Sequence, residues 1–599
     1  MALFKNREKP DMAPLITALL FCIVTAVVAL VFYGPRFTTN DDVMIKALLS
    51  GDISGFPESH IVNGMFLLGF LLKSLYALNG NVPWYDLFLC LIHILAYFLV
   101  LVRVCHLSKE IQTWKRVLGV VATGVLLLVL DFQYLVLHQY TILAAVVGAV
   151  GIFWLTTLRT SKKNELIADY VVITCSIVLC LLLRQEAFLM VLPVFGLALL
   201  YQGFRSKKKS LIILFLIISV SVLAVFGAEK LAYSSDEWKA FREIHSERIQ
   251  IYDYYHLPSF ERAEAEYEEL GYSKSDMYPL SEWDLGLFED YNADRMEGLA
   301  ELSRKYWEND NALPLTKIWA IKYIIKKLIP KIFENPLWPA AWILFLGTLL
   351  LLLVLIWKKS YKELVFSVVA FLYMMAFSGY FIYRGRFPER VSYGLYLLII
   401  AFLAGTFFSG VNRKKPEKTP EEKNDDTGIT KSGKIICRVG TTSVLIALLV
   451  IAGTRFYHTK LLLRETEERD ADWTAMNEYF TEHPQNTYYL KTSSFSNYAE
   501  KMFASSTYEK NNFCRLGGWI VKSPIHEDYL KNRGGSKTWV SVRTDENAYY
   551  VENDYYGTDW IKEYYEGQGI SVTVSQEDVV ILPSGKEIWI LAIRTVEQE

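Results

Sequence analysis

The chain lacks the features that stabilise small disulfide-bonded or metal-bound domains. Its 599 residues include seven cysteines, with no CxxC pair and no His/Cys cluster. Neither a zinc site nor a disulfide framework is therefore supported. Charge is also scarce, at 21% of residues, and 62 Lys+Arg against 64 Asp+Glu leave a net charge of −2. This balance argues against nucleic acid as a bulk partner. No repeat of 20–50 residues is present.

Apolar residues are abundant instead. Hydrophobic residues make up 52% of the chain and aromatic residues 14%, whereas soluble domains are usually about 45–50% apolar and about 25% charged. The composition excludes a disordered or collagen-like chain and predicts an α-helical polytopic membrane protein. Met12 to Tyr33 is a charge-free run long enough to cross about 30 Å of hydrocarbon. With it, we expect about 11 transmembrane helices, the others starting near Trp84, Val117, Tyr140, Leu166, Ala187, Ser210, Leu337, Leu364, Val391 and Val439.

Basic residues in the connecting loops predict the orientation. With this span count, the five basic loops fall on one side, which the positive-inside rule places in the cytoplasm. These loops are 103–116, 159–163, 205–209, 358–359 and 413–415. We therefore expect a protein of the cell membrane with a cytoplasmic N-terminus and an extracytoplasmic C-terminus. The apolar segment Ile61 to Leu78 would break this pattern if it spanned, so it is interpreted as an interfacial helix.

The same count predicts the domain organisation. A transmembrane domain covers 1–411, with outer loops at 34–83 and 229–336. A disordered cytoplasmic linker at 412–438 and the last transmembrane helix at 439–456 follow. Residues 457–599 then form a small extracytoplasmic α/β domain. In that domain we expect a helical opening at Asp472–His483, strands at Thr487–Thr492, Thr538–Arg543 and Ile588–Ile593, and a hairpin around Pro583-Ser584-Gly585.

An acidic pair directly after the first span is the main chemical signal. Asp41 and Asp42 stand where a cavity between the helices would open to the outside, and ionisable groups at such a depth usually face a cavity. Neighbouring helical residues point about 100° apart, so the two carboxylates cannot aim at one atom. One is then free to act as a base while the other binds a divalent metal or a partner cation. Alternatively, both simply cap the following helix.

The order of features in the first outer loop resembles that of GT-C glycosyltransferases, such as protein O-mannosyltransferases and aminoarabinose transferases. Those enzymes place an Asp-Glu pair after the first helix and a His-Pro-Pro stretch before a juxtamembrane helix. Here Asp41-Asp42 and His60 stand at these positions, although Asp42 replaces the Glu and Ile61-Val62 replaces the two prolines. The resemblance covers roughly 12–411, with specific residues only in the first loop.

The resemblance implies transfer of a sugar from a polyprenyl-phosphate carrier to a glycan or protein acceptor on the outer face, with Asp41 as the base. A phosphate leaving group needs no general acid but does need cationic partners. Arg384, Arg386 and Arg390 lie in one short outer loop, and arginine binds phosphate oxygens bidentately. Arginines beside a membrane also bind lipid headgroups, so both interpretations stay open.

Further candidates carry weaker signals. Asp131 lies near the outer end of the third span, and Arg184 joins spans five and six, where it can simply pair with Glu186. Tryptophans 238, 283 and 307 of the large outer loop either stack on sugar rings or lie at the bilayer surface. Gly517-Gly518-Trp519 is typical of a turn with a core tryptophan.

Two other functions remain. A polymerase or ligase acting on lipid-linked polysaccharide would rely on outer arginines rather than on an early acidic pair. A transporter or non-catalytic scaffold is the third possibility, although a transporter would concentrate its charges at the membrane midplane. The sequence identifies neither the sugar, nor the acceptor, nor the oligomeric state.

Overall fold

The structure is a computed structural model. It describes residues 12–596 apart from 160–162, 206–207, 289–291, 312–321, 324, 328, 331–337, 385, 412–430, 493–499, 505–511, 533–537 and 554–556. The greater part of the linker predicted at 412–438 lies outside the described residues.

A bundle of long apolar helices forms the first two thirds of the chain. Ten helices in the described part are long and apolar enough to cross a membrane. They are α1 (Ala13–Val27, continued by a π-helical turn to Tyr33), α4 (Trp84–Leu107), α5 (Thr113–Val136), α7 (Lys163–Leu183), α8 (Gln185–Gly203), α9 (Lys208–Ala232), α14 (Ala340–Trp357), α15 (Tyr361–Tyr383), α16 (Glu389–Val411) and α17 (Lys431–Glu482). The predicted fold class, a polytopic helical membrane protein, is confirmed.

The remaining predicted span is the shorter helix α6 (Tyr140–Thr156), which lies at the centre of the bundle. All of its residues except Ala149 are buried, because α4, α7, α8 and α16 surround it. Two of its glycines let neighbours approach closely: a Cβ at Gly148 would lie 2.7 Å from a methyl of Val191, and one at Gly151 would lie 3.1 Å from Ile177. A helix enclosed by protein on every side can be apolar all round without facing lipid.

The segment predicted as interfacial forms helix α3 (Phe66–Leu78). Its 13 residues cover about 20 Å, too short for a membrane of about 30 Å. The preceding loop crosses it closely, since a Cβ at Gly69 would lie 2.0 Å from the carbonyl oxygen of Ser59. Only glycine fits at that crossing.

Three polar regions meet at one end of the bundle, called here the polar end. The first contains β1 (Arg36–Phe37), which pairs with β2 (Leu137–His138), and helix α2 (Asn40–Ser50). The second contains α10 (Asp236–Ile249), a π-helical turn (Gln250–Tyr255), α11 (Glu264–Glu269), α12 (Met277–Ser281) and α13 (Ala293–Asp310). The third is the C-terminal domain.

Direct contacts join the three regions. Arg36 pairs with Asp470 at 2.5 Å, and Lys46 of α2 pairs with Glu500 at 2.8 Å. The backbone N–H of Gly286 donates to the carbonyl of Leu516 at 2.7 Å. The regions predicted to share one side of the membrane therefore lie together.

Arg103 and Arg205, from two of the basic loops, make their contacts at the opposite end. Arg103 pairs with Asp169 at 2.9 Å, and Arg205 with Glu363 at the same distance. Arg205 also donates to the carbonyl of Ser409 at 3.0 Å. The separation of basic loops from polar regions matches the predicted charge pattern, while the side that faces the cytoplasm stays a prediction.

The C-terminal domain is a five-stranded sheet with helices. Its strand order is β4-β3-β5-β7-β6, in which β3 runs parallel to β4 and β5, and β7 antiparallel to β5 and β6. The strands are β3 (Thr487–Leu490), β4 (Phe513–Arg515), β5 (Ala548–Asn553), β6 (Val572–Ile581) and β7 (Glu587–Thr595), and the helices are α18 (Pro524–Asn532), α19 (Thr538–Thr544) and α20 (Asp559–Gly567). The predicted small α/β domain and its β6–β7 hairpin are confirmed.

One strand prediction in this domain is wrong. Thr538–Arg543 is rich in β-branched and aromatic residues, but it lies within helix α19. Its buried residues include Thr538, Ser541 and Val542, spaced i, i+3 and i+4. This spacing is helical because the segment covers β5 and β7 instead of extending the sheet.

Helix α17 joins the membrane bundle to the C-terminal domain without a break. It includes the span predicted at 439–456 and, up to Glu482, the helical opening predicted at Asp472–His483. Residues 457–482 contain neither Gly nor Pro, so nothing in their sequence ends the helix.

Candidate active site

A cavity of about 420 Å³ opens where the three polar regions meet. The helical bundle and its first polar region supply one side of the cavity: Asn40, Asp41, Asn63, Arg184, Arg386 and Arg390. The second polar region and the C-terminal domain supply the other side: His245, Arg248, Ile249, Asp253, Ser281, Glu282, Trp283, Thr492, Gly518 and Trp519. Four of the eight predicted site residues, Asp41, Arg184, Arg386 and Arg390, thus come together here.

Asp41 presents its carboxylate to the cavity from the first turn of α2. Its Oδ2 lies 3.9 Å from Nη1 of Arg390, which is longer than a hydrogen bond. The side chain is 19% exposed. The carboxylate is therefore close to a cation but still accessible to a ligand.

Asp42 points away from the cavity, as expected for neighbours on a helix. It is fully buried and accepts hydrogen bonds from the hydroxyl of Tyr85 at 2.9 Å, from that of Thr39 at 3.2 Å and from the backbone N–H of Tyr140 at 3.3 Å. Burial raises the pKa of Asp42 to about 8, although the bond from Tyr85 opposes the shift. Asp42 therefore anchors α2 to α4 and α6.

The three cavity arginines from the bundle differ in how strongly other groups hold them. Arg386 pairs with Asp253 at 2.7 Å. Arg184 pairs with Glu186 at 2.6 Å, as its sequence position suggested, and also donates to the carbonyl of Asn63 and the hydroxyl of Tyr140. Arg390 has only the long contact to Asp41 among its ion pairs in the described structure. It is the arginine best placed to receive an anion.

The other predicted site residues lie outside the cavity lining. Arg384 stacks over Tyr254 and Tyr255, at 5.1 and 5.2 Å from their ring centroids. Asp131 contacts His93 at 2.5 Å within the bundle, beside a separate apolar cavity of about 210 Å³.

His60 packs into the loop beside α9 and α10. Its ring stacks on Trp238 with a centroid distance of 4.5 Å, and its Nδ1 contacts Glu58 at 2.7 Å. Burial alone would raise the pKa of Glu58, but the hydrogen bonds from His60 and Ser59 outweigh it and lower this pKa to about 2. In this structure His60 stabilises its loop and does not line the cavity.

On the far side of the cavity, the sequence pointed to Trp283 as a tryptophan that stacks on sugar rings or lies at the bilayer surface, but it did not point to Arg248 and it placed Trp519 in a core. Arg248 is 2% exposed and donates to the carbonyls of Gly518 and Trp519 at 2.8 and 2.7 Å, which fixes the C-terminal domain against the second polar region. Trp519 is partly buried: it packs against the hydrophobic core, as the sequence suggested, and it also lines the cavity. These residues are far apart in sequence, so no local pattern marks them.

His245 adds a neutral group to this side. Its Nδ1 accepts a hydrogen bond from Arg248. Burial, followed by the positive charges of Arg248 and Arg184, lowers the pKa of His245 to about 3. The imidazole therefore carries no charge near neutral pH, and the cavity lining has four arginines against Asp41, Asp253 and Glu282. This excess of positive charge favours an anionic ligand.

The described residues contain no group of three or more His, Cys, Asp or Glu side chains arranged to hold a metal ion. Asp41 and Asp253 are instead each directed towards an arginine. For the divalent metal that the sequence suggested, the described residues thus offer no ligand set of this kind.

Comparison with known proteins gives a limited result. No protein-family model and no curated protein matches the chain. Among solved structures, the chain is similar to ArnT from Cupriavidus metallidurans bound to undecaprenyl phosphate, with 11% identity over 97% of this chain and 98% of the other and a TM-score of 0.37. The apo form of that protein gives 11% identity over 96% and 97% and a TM-score of 0.38.

Proposed function

We propose that the protein is a glycosyltransferase that moves a sugar from a polyprenyl-phosphate donor to a cell-envelope acceptor, a glycan or a protein, at the outer face of the membrane. The observation that carries the proposal is the cavity at the polar end, where Asp41 stands 3.9 Å from Arg390 and two further arginines complete the wall. A carboxylate that can act as a base thus lies next to arginines that can bind an anion, at a membrane surface.

The chemistry follows from these groups. The carboxylate of Asp41 takes the proton of the acceptor hydroxyl as its oxygen attacks the anomeric carbon of the donor sugar. The bond between that carbon and the phosphate oxygen breaks, and both bonding electrons leave with the polyprenyl phosphate. Arg390, with Arg184 and Arg386 beside it, stabilises the phosphate as its charge grows. No acid is needed because the phosphate leaves as a stable anion.

The apolar cavity supports a lipid-linked donor. Leu397, Ala401, Ala404 and Phe408 of α16 line it, and they lie on the same helical face as Arg390, at intervals of 7, 11, 14 and 18 residues. At 1.5 Å per residue, this face extends about 27 Å from Arg390 into the bundle. A phosphate at Arg390 would then continue into an isoprenyl chain along α16.

The central test is Asp41→Asn. Asparagine keeps the size and capping ability of Asp41 but cannot take a proton. We expect the purified variant to stay folded and to bind donor lipid, and to lose transfer by about two orders of magnitude or more. Sugar transfer from polyprenyl-phosphate donor to envelope acceptor, followed by mass spectrometry of envelope glycans, measures this.

Asp42→Asn is the matched control, and it should retain transfer because Asp42 does not face the cavity. Loss in Asp42→Asn with normal transfer in Asp41→Asn would move the base by one residue. Normal transfer in both variants would reject the mechanism. If loss of arginines then abolished activity, a polysaccharide polymerase or ligase would be favoured.

A further inference from the structure

Two tryptophans face the cavity from the side opposite the bundle. Trp283 belongs to the second polar region and Trp519 to the C-terminal domain, and both are partly buried and line the cavity. The cationic groups that suit a phosphate come mainly from the bundle side. The two sides of the cavity thus differ in chemistry, and the aromatic side is not needed for the proposed phosphate contacts.

The backbone of Trp283 is held in an unusual conformation. Its φ of 68° is in the left-handed region, which bulky residues rarely adopt and which tends to occur where a ligand is gripped. Its N–H donates to the carbonyl of Leu280 at 3.3 Å, and its own carbonyl accepts from Leu285 at 2.8 Å. Gly517 packs so closely that a Cβ there would lie 2.0 Å from that carbonyl. These contacts fix the backbone of Trp283 beside the cavity.

Polar groups accompany the aromatic rings. Glu282 lines the cavity while Lys491, which is fully buried, lies 3.6 Å from its carboxylate. Ser281 and Thr492 also line the cavity, and His245 is a neutral imidazole there. Aromatic surfaces with a few fixed carboxylate, hydroxyl and imidazole groups can contact both the apolar faces and the hydroxyl groups of one ring.

We propose that Trp283 and Trp519 form a saccharide-binding subsite, with Glu282 as a hydrogen-bond acceptor for sugar hydroxyl groups. This inference rests on the proposed function and assigns the C-terminal domain a part in it: Trp519 completes the subsite. The sugar belongs either to the donor or to a glycan acceptor, and these two sources share the same chemistry.

Binding measurements on the purified full-length protein test the subsite. Three probes are used: a polyprenyl phosphate without sugar, the polyprenyl-phosphate-linked sugars extracted from cell membranes, and oligosaccharides released from the cell envelope by mild acid. Trp283→Gly and Trp519→Ala should keep affinity for the sugar-free lipid within about twofold and lose about tenfold for a sugar-bearing probe. The weakened probe identifies the source of the sugar.

Two further variants control for structure. Glycine at 283 accepts the left-handed backbone, so the loop is preserved, and Trp283→Phe should restore much of the binding because it keeps an aromatic face. Trp307→Ala, in α13 and outside the cavity lining, should bind all three probes normally.

Equal loss of affinity for the sugar-free lipid, or no loss for either sugar-bearing probe, would overturn the subsite. So would a parent protein that binds neither sugar-bearing probe. Failure of the proposed function is a separate result: sugar binding that depends on the tryptophans, in a protein whose transfer is unaffected by Asp41→Asn, would keep the subsite and reject the mechanism.

Discussion

Asp41 and Asp42 have identical side chains but very different surroundings. One carboxylate faces a cavity beside Arg390, and the other is enclosed by three hydrogen-bond donors. The 100° step between helical neighbours is enough to predict that they diverge. It does not predict which one faces the cavity, because that depends on Tyr85 and Tyr140, which belong to other helices.

The pKa of Asp42 predicts a pH dependence of stability. Its folded value of about 8 lies above the value of about 3.9 for an unfolded chain, so folding favours the protonated form. This contribution is complete below about pH 4 and is lost as the pH rises through about 8. We expect thermal stability of the parent protein in detergent to decline over this range more steeply than that of Asp42→Asn.

Asparagine suits the Asp42 position because its oxygen can accept from Tyr85 and Tyr140 while its amide donates to Thr39. Identical slopes of unfolding temperature against pH in parent and variant would show that Asp42 is not the group responsible. Asp41→Asn, which alters a partly exposed carboxylate, serves as the comparison.

Arg390 gives a second prediction at this scale. Because Arg386 and Arg184 already have short ion pairs, removing Arg390 should weaken the affinity for polyprenyl phosphate most. A hydrogen bond to a charged group contributes about 1.5–3 kcal/mol, so Arg390→Ala should reduce affinity about tenfold to a hundredfold. Titration with polyprenyl phosphate measures this, and a larger loss in Arg386→Ala or Arg384→Ala would assign the phosphate to another arginine.

At the scale of elements, α10 fastens the C-terminal domain through one side chain. Arg248 donates to two successive carbonyls of the turn that carries Trp519. Lysine keeps the charge but loses this two-point geometry. Arg248→Lys should therefore loosen the contact, raise protease sensitivity of the C-terminal domain several-fold and lower transfer.

Arg242→Lys is the matched control on the same helix, since Arg242 is exposed and lies 3.8 Å from Glu229. Limited proteolysis of both variants against the parent distinguishes them. Equal protection of parent and Arg248→Lys would mean that the domain is held by its other contacts, such as Lys46 with Glu500.

Elements that rest on local pattern were predicted well from the sequence. Apolar length identified the spans, and Pro583-Ser584-Gly585 identified the hairpin. Thr538–Arg543 failed because its strand-like content of β-branched and aromatic residues was overridden by packing against β5 and β7. Most of the far side of the cavity also escaped prediction, since Arg248 and Trp519 meet Trp283, the one sequence candidate there, only through tertiary structure.

For the whole molecule, orientation remains the main prediction. A reporter active only outside the membrane should be active after Glu599 and near Ser273, and inactive near Glu421. The contacts between the second polar region and the C-terminal domain require the first two sites to agree. An active reporter near Glu421 together with inactive reporters at the other two sites would show that the orientation is reversed and that Asp41 faces the cytoplasm.

Because helix α17 is unbroken, its number of residues sets how the C-terminal domain is rotated about the helix axis. Its 52 residues form a rod of about 78 Å that starts before the last span and ends inside the domain. One residue added along it would turn everything beyond by about 100° and advance it by about 1.5 Å. Trp519 would then swing away from Asp41, although no residue of the cavity had changed. The number of residues in a helix that lies outside the cavity thus decides whether the two sides of the cavity face each other.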